Sequence, residues 1–247
     1  MLREVELSAR AGRWAVGFVS YEAAPAFDSA LPTRQGPLPA AMFALFEGTD
    51  AIVRARGDFL CGAWHDTTSR ESFDAGIGSI RADIGEGRCY QVNYTTRLRA
   101  PFFGDSLAFF DRLLKSQRGA YGAYLGFDRW RICSVSPELF FHWRSDSGAL
   151  VSRPMKGTAA RDDDPQRDRE LAAQLAQSAK ERAENLMIVD LIRNDMSRVA
   201  EVGSVTVPEL FTVEAWPTVW QMTSTVTCRT RPQATLADVF AALFPCG

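Results

Sequence analysis

The sequence predicts an α+β fold whose sheets are largely antiparallel. Between residues 121 and 153, four β-type segments follow one another with no helical pattern between them. The strict strand–helix alternation of a doubly wound α/β fold is therefore absent. Elsewhere, apolar residues recur at helical spacing. The length of 247 residues is typical of one large domain or two small ones.

The first predicted helix begins after Ser69. Phe73, Ile77 and Ile80 follow at spacings of four and three residues, which places them on one helix face. Ser69 can cap the start of this helix, and Gly87 suits its end.

The next segment, RCYQVNYTTRLRA at residues 88–100, is rich in β-branched and aromatic side chains and predicts a strand. The remaining elements follow from the same periodicities. The other predicted strands are 13–21, 40–46, 121–127, 131–135, 138–143, 149–153, 204–207 and 217–229. The other predicted helices are 106–117, 166–178, 180–197 and 235–244.

Composition argues against several classes of protein. The 28 basic and 30 acidic residues leave a formal charge of −2, which offers no field for a polyphosphate backbone. No run approaches the roughly 20 apolar residues that a membrane-spanning helix needs. The five cysteines form no CxxC pair, which disfavours a disulfide framework or a zinc site. We therefore expect a soluble, cytoplasmic protein with neither a nucleic-acid nor a membrane partner.

One segment, KERAENLMIVDLIRNDMSRV at residues 180–199, combines apolar and charged residues. Its apolar residues spread around the whole circumference of a helix, which predicts a buried helix. Buried charges must be paired or bound to a metal, and an ion network of Asp190, Arg193 and Asp195 is one interpretation. Glu184 has no cation further along its own face, so a metal-ligand role stays open.

Two further segments carry candidate site residues. In SRPMKGTAA, Lys156 directly follows Met155. A lysine held among apolar neighbours can act as a nucleophile or base, although a lysine in a loop is more often solvated. Gly157 lets a ligand approach the backbone, and Thr158 offers a hydroxyl and an N–H. In SVSPELFFHW, Glu138 precedes a strand, where an acid role and a water-facing role are both open. The charge run at residues 161–169 predicts a solvated loop that leads into a helix.

Together these segments resemble the chorismate-utilising enzymes, and within them the aminodeoxychorismate synthase component I group. The blocks that carry the resemblance, in the family's order, are GRCYQVNYTTRL, SPELFF, SRPMKGT, KERAENLMIVDLIRND, GSVTVPELFTVE and WPTVWQMTSTV. The resemblance implies two large antiparallel sheets packed face to face, with outer helices and the active site between the sheets. It divides the chain into an N-terminal sheet portion, residues 1–68, and a chorismate-binding region, residues 69–247.

The resemblance also implies a reaction, in which chorismate and ammonia form 4-amino-4-deoxychorismate, the precursor of p-aminobenzoate and folate. A glutamine amidotransferase subunit would supply the ammonia. By their motif positions, Lys156 would be the nucleophile that adds to the ring, and Glu138 the general acid or base. Gly157 and Thr158 match the pair that contacts the substrate carboxylate, and Glu184 matches a Mg²⁺ ligand.

Two features bear on the alternatives. The related anthranilate synthases carry a small residue in place of Lys156 and a histidine in place of Gln221, which disfavours an anthranilate or isochorismate synthase homologue. Family members also continue past Gly247 into a segment resembling GSVTGAPK and later supply a second metal-binding glutamate. We therefore expect a truncated chain, inactive and poorly stable on its own, and a non-catalytic fragment stays open as an alternative.

Overall fold

The computed structural model describes residues 1–51, 53–117 and 121–246. The predicted mixture of helices and antiparallel sheets is confirmed. The helices are α1 (Leu2–Arg10), α2 (Arg70–Gly85), α3 (Ser106–Gln117), α4 (Pro165–Gln177), α5 (Ala179–Ser197) and α6 (Leu236–Leu243). The strands are β1 (Trp14–Val19), β2 (Ala41–Phe46), β3 (Phe59–Cys61), β4 (His65–Asp66), β5 (Leu98–Arg99), β6 (Phe102–Gly104), β7 (Tyr121–Phe127), β8 (Trp130–Ser136), β9 (Leu139–Trp143), β10 (Ala149–Arg153), β11 (Met155–Ala160), β12 (Thr206–Ala215) and β13 (Val219–Arg229). Within these described ranges, no helix has both the length and the apolar character that crossing a membrane requires.

Contacts divide the chain into two compact units. One comprises Met1–Val53 and Arg112–Gly247, and the other Arg54–Asp111. The predicted domain boundary after residue 68 is not tested by this division and stays a prediction. The predicted cap of α2 is present, because Ser69 Oγ accepts a hydrogen bond from the backbone N–H of Ser72 at 3.1 Å.

In the smaller unit, β3 pairs with β6 and β4 with β5. The predicted strand at 88–100 is wrong except for Leu98–Arg99, because the residues before it have no regular structure. Tyr94 instead lies against α2, with its ring centroid 5.5 Å from that of Phe73. Packing on the helix therefore outweighs the β propensity of this segment.

In the larger unit, β13 is the central strand of a five-stranded antiparallel sheet. β12 pairs along one side of it. On the other side, residues 226–229 of β13 pair with β10 and residues 219–223 pair with β11. The chain passes from β10 to β11 through Pro154, whose carbonyl accepts a hydrogen bond from the N–H of Ser224 at 3.1 Å. β9 pairs with the far side of β10.

The core of the larger unit lies where α5 and α6 pack with this sheet. The buried residues of α5 are spaced by three, one, three and four positions, which forms a single stripe. They are Asn185, Ile188, Val189, Ile192 and Met196. The expectation of a helix buried all round is wrong, since Leu186 is 50% exposed. Only the side of α5 that faces the sheet is covered.

The first and last described helices meet. Sequence analysis did not predict α1, whose Glu6 carboxylate accepts a hydrogen bond from the N–H of Leu236 at 2.9 Å, across 230 residues of sequence. Beside them, the ring of Phe27 lies 6.0 Å from that of Phe240 and 5.3 Å from that of Phe244. The hydrogen bond from Leu236 to Glu6 satisfies a backbone donor at the start of α6.

Candidate active site

A β-bulge in β11 carries Lys156. Met155 pairs with Thr223 and Thr158 pairs with Gln221, so that two residues of β11 face one residue of β13 between these pairs. A bulge of this kind bends its strand and changes the direction of its side chains. Lys156 itself is half-buried.

The second residue of the bulge, Gly157, must be a glycine. Its φ of +99° lies in the left-handed region that side chains rarely adopt. A Cβ added there would lie 3.1 Å from Glu181 Cβ and 3.3 Å from Leu175 Cδ1. A side chain there would therefore strain the backbone and require the side chains of α4 and α5 to move by a few tenths of an ångström.

Glu138 lies next to the bulge, just before β9. Its Oε1 accepts a hydrogen bond from the N–H of Met155 at 3.0 Å. Although the residue as a whole is exposed, neighbouring atoms desolvate its carboxylate and raise its pKa, against the opposing effects of this hydrogen bond and of the charge on Lys156. A carboxyl group with a raised pKa beside an amine suits a proton donor or acceptor.

Thr158 follows the bulge and is exposed. Its Oγ1 donates a hydrogen bond to Gln221 Oε1 at 2.8 Å. This bond orients the Gln221 side chain, so that its NH₂ group offers two donors for other partners.

Glu184 is on α5, one turn after Glu181. The Lys180 ammonium lies 3.4 Å from Glu184 Oε1 and 3.2 Å from Glu181 Oε1. Glu184 therefore has a cationic partner earlier in the helix, and the two carboxylates share it. In the described part of the chain, no group of three or more His, Cys, Asp or Glu side chains could hold a metal ion.

The proposed buried ion network further along α5 is not present in that form. Asp190 pairs with Arg193 at 3.2 Å, but the side chains are 77% and 52% exposed. Partial burial raises the pKa of Asp195, against the charge of the nearby Arg198. The Asp190–Arg193 pair is thus a surface contact, which contributes little to stability.

Sequence analysis did not single out Asn185, which is fully buried. Its Nδ2 lies 3.4 Å from the carbonyl oxygen of Lys156 and 3.5 Å from that of Met222, and its Oδ1 accepts a hydrogen bond from Ser224 Oγ at 2.5 Å. In the sequence it is one of several polar residues of α5, and only the observed stripe of buried residues distinguishes it from the others.

The charge run at 161–169 is not simply a solvated loop. The buried carboxylate of Asp168 accepts two hydrogen bonds at 2.8 Å from Arg161 and one at 2.8 Å from Trp220 Nε1. The Arg161 guanidinium also lies over the Trp220 ring, 4.5 Å from its centroid. These contacts tie the start of α4 to the ends of β11 and β13.

The structure thus brings Lys156, Gly157, Thr158 and Glu138 to one end of β11, with Glu184 on the helix that packs against this strand. Comparison with known proteins bears on what this arrangement is. A family model described as chorismate binding enzyme matches residues 54–247. The chain belongs to this family.

Two proteins named aminodeoxychorismate synthase component 1 are clear relatives of this chain. It is 43% identical over 209 residues to aminodeoxychorismate synthase component 1 of Klebsiella aerogenes, which covers 85% of this chain and 46% of the relative. It is 42% identical over 188 residues to the protein of the same name from Escherichia coli K12, covering 76% of this chain and 41% of the relative. The chain therefore spans less than half the length of these two relatives.

A solved structure of another protein has the same fold. Anthranilate synthase component I from Streptococcus pneumoniae superposes with a TM-score of 0.83 at 23% identity, covering 96% of this chain and 61% of that protein. At this identity the likeness establishes the fold alone.

Proposed function

We propose that the protein containing this chain aminates chorismate to 4-amino-4-deoxychorismate, a precursor of p-aminobenzoate. The observation that carries the proposal is the position of Lys156 on a bulge. The backbone N–H of Met155, the residue before Lys156, donates a hydrogen bond to the carboxylate of Glu138. Similarity to two aminodeoxychorismate synthases supports the same reaction.

In the proposed reaction, Lys156 Nζ in its neutral form makes a new C–N bond to the chorismate ring. The bond from C4 to its hydroxyl oxygen breaks, and the oxygen takes a proton from Glu138 and leaves as water. Ammonia then bonds to C4, the bond between the ring and Lys156 breaks with its electron pair remaining on Nζ, and the surplus proton of the new C4–N group returns to the Glu138 carboxylate. The backbone N–H groups of Gly157 and Thr158 would bind a substrate carboxylate, and the Thr158 hydroxyl would give up its bond to Gln221 to donate to the same group.

The residues on α5 fit a magnesium ion. Glu181 and Glu184 offer hard oxygen atoms close enough to share the single Lys180 ammonium. Mg²⁺ in proteins is commonly held by one or two carboxylates and completes its shell with water and substrate oxygens. We propose Glu184 as its protein ligand. When bound, the ion would neutralise and anchor a substrate carboxylate.

We also propose that a separate glutamine amidotransferase subunit supplies the ammonia. The two relatives are named as component 1, which implies a second component. No ammonia-generating site is needed on this chain for the chemistry assigned to Lys156 and Glu138.

The test supplies chorismate, ammonium and Mg²⁺ to the purified protein and follows aminodeoxychorismate with a coupled lyase. Lys156→Ala should lower turnover on the order of 10³-fold, as loss of a covalent nucleophile does. Lys115→Ala, at an exposed position of α3, is the matched lysine control and should retain turnover. A chorismate adduct on the wild type should also be detected by intact mass and be missing in Lys156→Ala.

Two outcomes would contradict the proposal. Wild-type turnover by Lys156→Ala would remove the nucleophile from the mechanism. Formation of anthranilate or isochorismate by the wild-type protein would assign it to the alternative activities.

A further inference from the structure

We propose that Asn185 is a positioning residue that holds the Lys156–Gly157 bulge in the orientation needed for catalysis, an inference that rests on the amination proposed above. The Asn185 Nδ2 atom lies 3.4 Å from Lys156 O and 3.5 Å from Met222 O. These carbonyls belong to the two sides of the bulge, and Nδ2 carries two N–H donors, one for each. A single amide therefore spans the irregular part of the ladder.

The Asn185 amide is itself held in one orientation. The N–H of Phe211, on β12, donates to Ser224 Oγ at 3.1 Å, so the hydroxyl proton is left to donate to Asn185 Oδ1 at 2.5 Å. Only the oxygen end of an amide can accept that proton. The Nδ2 end must then face the carbonyls of the bulge.

Stability does not account for this network. A buried amide and hydroxyl lose their bonds to water and recover them only from each other and from the backbone. An apolar side chain at position 185 would extend the stripe formed by Ile188 and Val189 without that cost. What the amide adds is a partner for carbonyl groups at a place where a bulge disrupts the regular ladder.

The network reaches both groups of the proposed chemistry. Lys156 directly follows Met155, whose N–H donates to Glu138. A rotation of the bulge would therefore change the direction of the Lys156 side chain and the bond that holds Glu138. Asn185 acts on the substrate only through these two residues.

The first experiment measures kcat and KM for chorismate in the protein with Asn185→Leu or Ser224→Ala. Asn185→Leu should lower kcat at least about tenfold with KM changed less than about threefold, because small misplacements of a reacting group reduce the chemical step. Ser224→Ala should give a smaller fall, since the amide remains but can turn. Val189→Ala is the matched control for lost packing on the same stripe and should keep kcat within about twofold even where it lowers Tm.

The second experiment monitors the surroundings of the Lys156 side chain directly by NMR. ¹³C-methylation gives lysine side-chain NMR signals, and Lys→Arg variants assign those of the three lysines of this sequence, Lys115, Lys156 and Lys180. Asn185→Leu should shift the Lys156 signal and leave that of Lys115 in place. Ser224→Ala should shift it in the same direction.

An unchanged kcat together with an unmoved Lys156 signal in folded Asn185→Leu would overturn the inference. If Asn185→Leu does not fold, the same result in Ser224→Ala would overturn it. If the wild type forms no aminodeoxychorismate, the amination proposal fails by itself, and the Lys156 signal still decides whether Asn185 sets the lysine's surroundings.

Discussion

The two ends of α5 pack against the same strand, β13, with opposite chemistry. Towards its C-terminal end, Met196 joins Leu150 and Val226 in an apolar core. Towards its N-terminal end, the buried amide of Asn185 binds Ser224 beside the bulge. Burial of apolar surface provides the main favourable free energy of folding, whereas hydrogen bonds specify direction. The comparison teaches that α5 couples an end that stabilises the fold to an end that shapes the candidate site.

Shortening a buried side chain at the apolar end should cause the largest loss of stability. Met196 is fully buried, and Met196→Ala should lower the free energy of unfolding by about 3 kcal/mol. Urea unfolding measures this change. The kcat of the folded fraction should remain within about twofold, because Met196 belongs to the apolar core and lies eleven residues after Asn185 on α5. A tenfold fall would show that the two ends are not independent.

At the polar end, Glu138→Gln should separate activity from stability. Turnover should fall about 10²-fold with loss of the acid. Stability should not fall, since the amide oxygen can still accept the bond from Met155 N–H and no charge needs to be desolvated. The matched comparison is Met196→Ala, in which stability falls and turnover does not.

The raised pKa of Glu138 also fixes how this effect depends on pH. The folded protein binds the proton more tightly than the unfolded chain, so the stability contributed by this group is complete below the unfolded pKa and is lost as pH rises through the folded value. The stability of Glu138→Gln relative to wild type should therefore increase with pH. A decrease between pH 4 and pH 7 in urea unfolding would contradict the assignment.

Glu184→Gln tests the helix side of the same end. It should raise the Mg²⁺ concentration for half-maximal turnover about tenfold, because one anionic oxygen ligand is lost. Asp190→Asn is the matched control, an exposed carboxylate on the same helix whose loss should not move the titration. An unmoved titration in Glu184→Gln would leave Glu184 as a surface partner of Lys180 alone.

The smallest effect is expected at Asp168, where α4 is tied to the sheet. Hydrogen bonds from Arg161 hold the pKa of Asp168 well below its ordinary range. Its contribution to stability is present above the unfolded pKa of about 4 and is lost as pH falls towards the folded value. Asp168→Asn should therefore flatten the fall of Tm between pH 5 and pH 2. If the Tm of Asp168→Asn fell over this pH range as steeply as that of the wild type, the result would contradict this prediction.

Much of the fold could be predicted because local signals were strong. Helix α2 begins at its predicted cap, Ser69, and the strands predicted between 121 and 153 lie within one residue or so of those observed. The prediction of a strand at 88–100 was wrong because this segment packs through Tyr94 on Phe73 of α2, 21 residues earlier in the chain. Propensity carries no information about such a contact.

Part of the candidate site followed from motifs and part did not. Lys156 and Glu138 stand in short recognisable segments, and in the structure Glu138 binds the backbone N–H of Met155, the residue before Lys156. Asn185 could not be selected from among the polar residues of α5, since its role depends on which helix face meets the sheet. Asp168 lies within a charge run that predicts a solvated loop. In the structure, Trp220 donates a hydrogen bond to its carboxylate, and the Arg161 guanidinium lies over the Trp220 ring.

The hydrogen bond between Glu6 and Leu236 has a consequence for synthesis on the ribosome. The two residues are 230 positions apart, and translation at about 5–20 residues per second separates their appearance by roughly 10–50 s. During that time α1 exists without the helix it caps, and its contacts with α6 are missing. Closing so long a loop has an entropic cost and slows folding. The nascent chain should therefore present α1 to chaperones until α6 emerges from the ribosome.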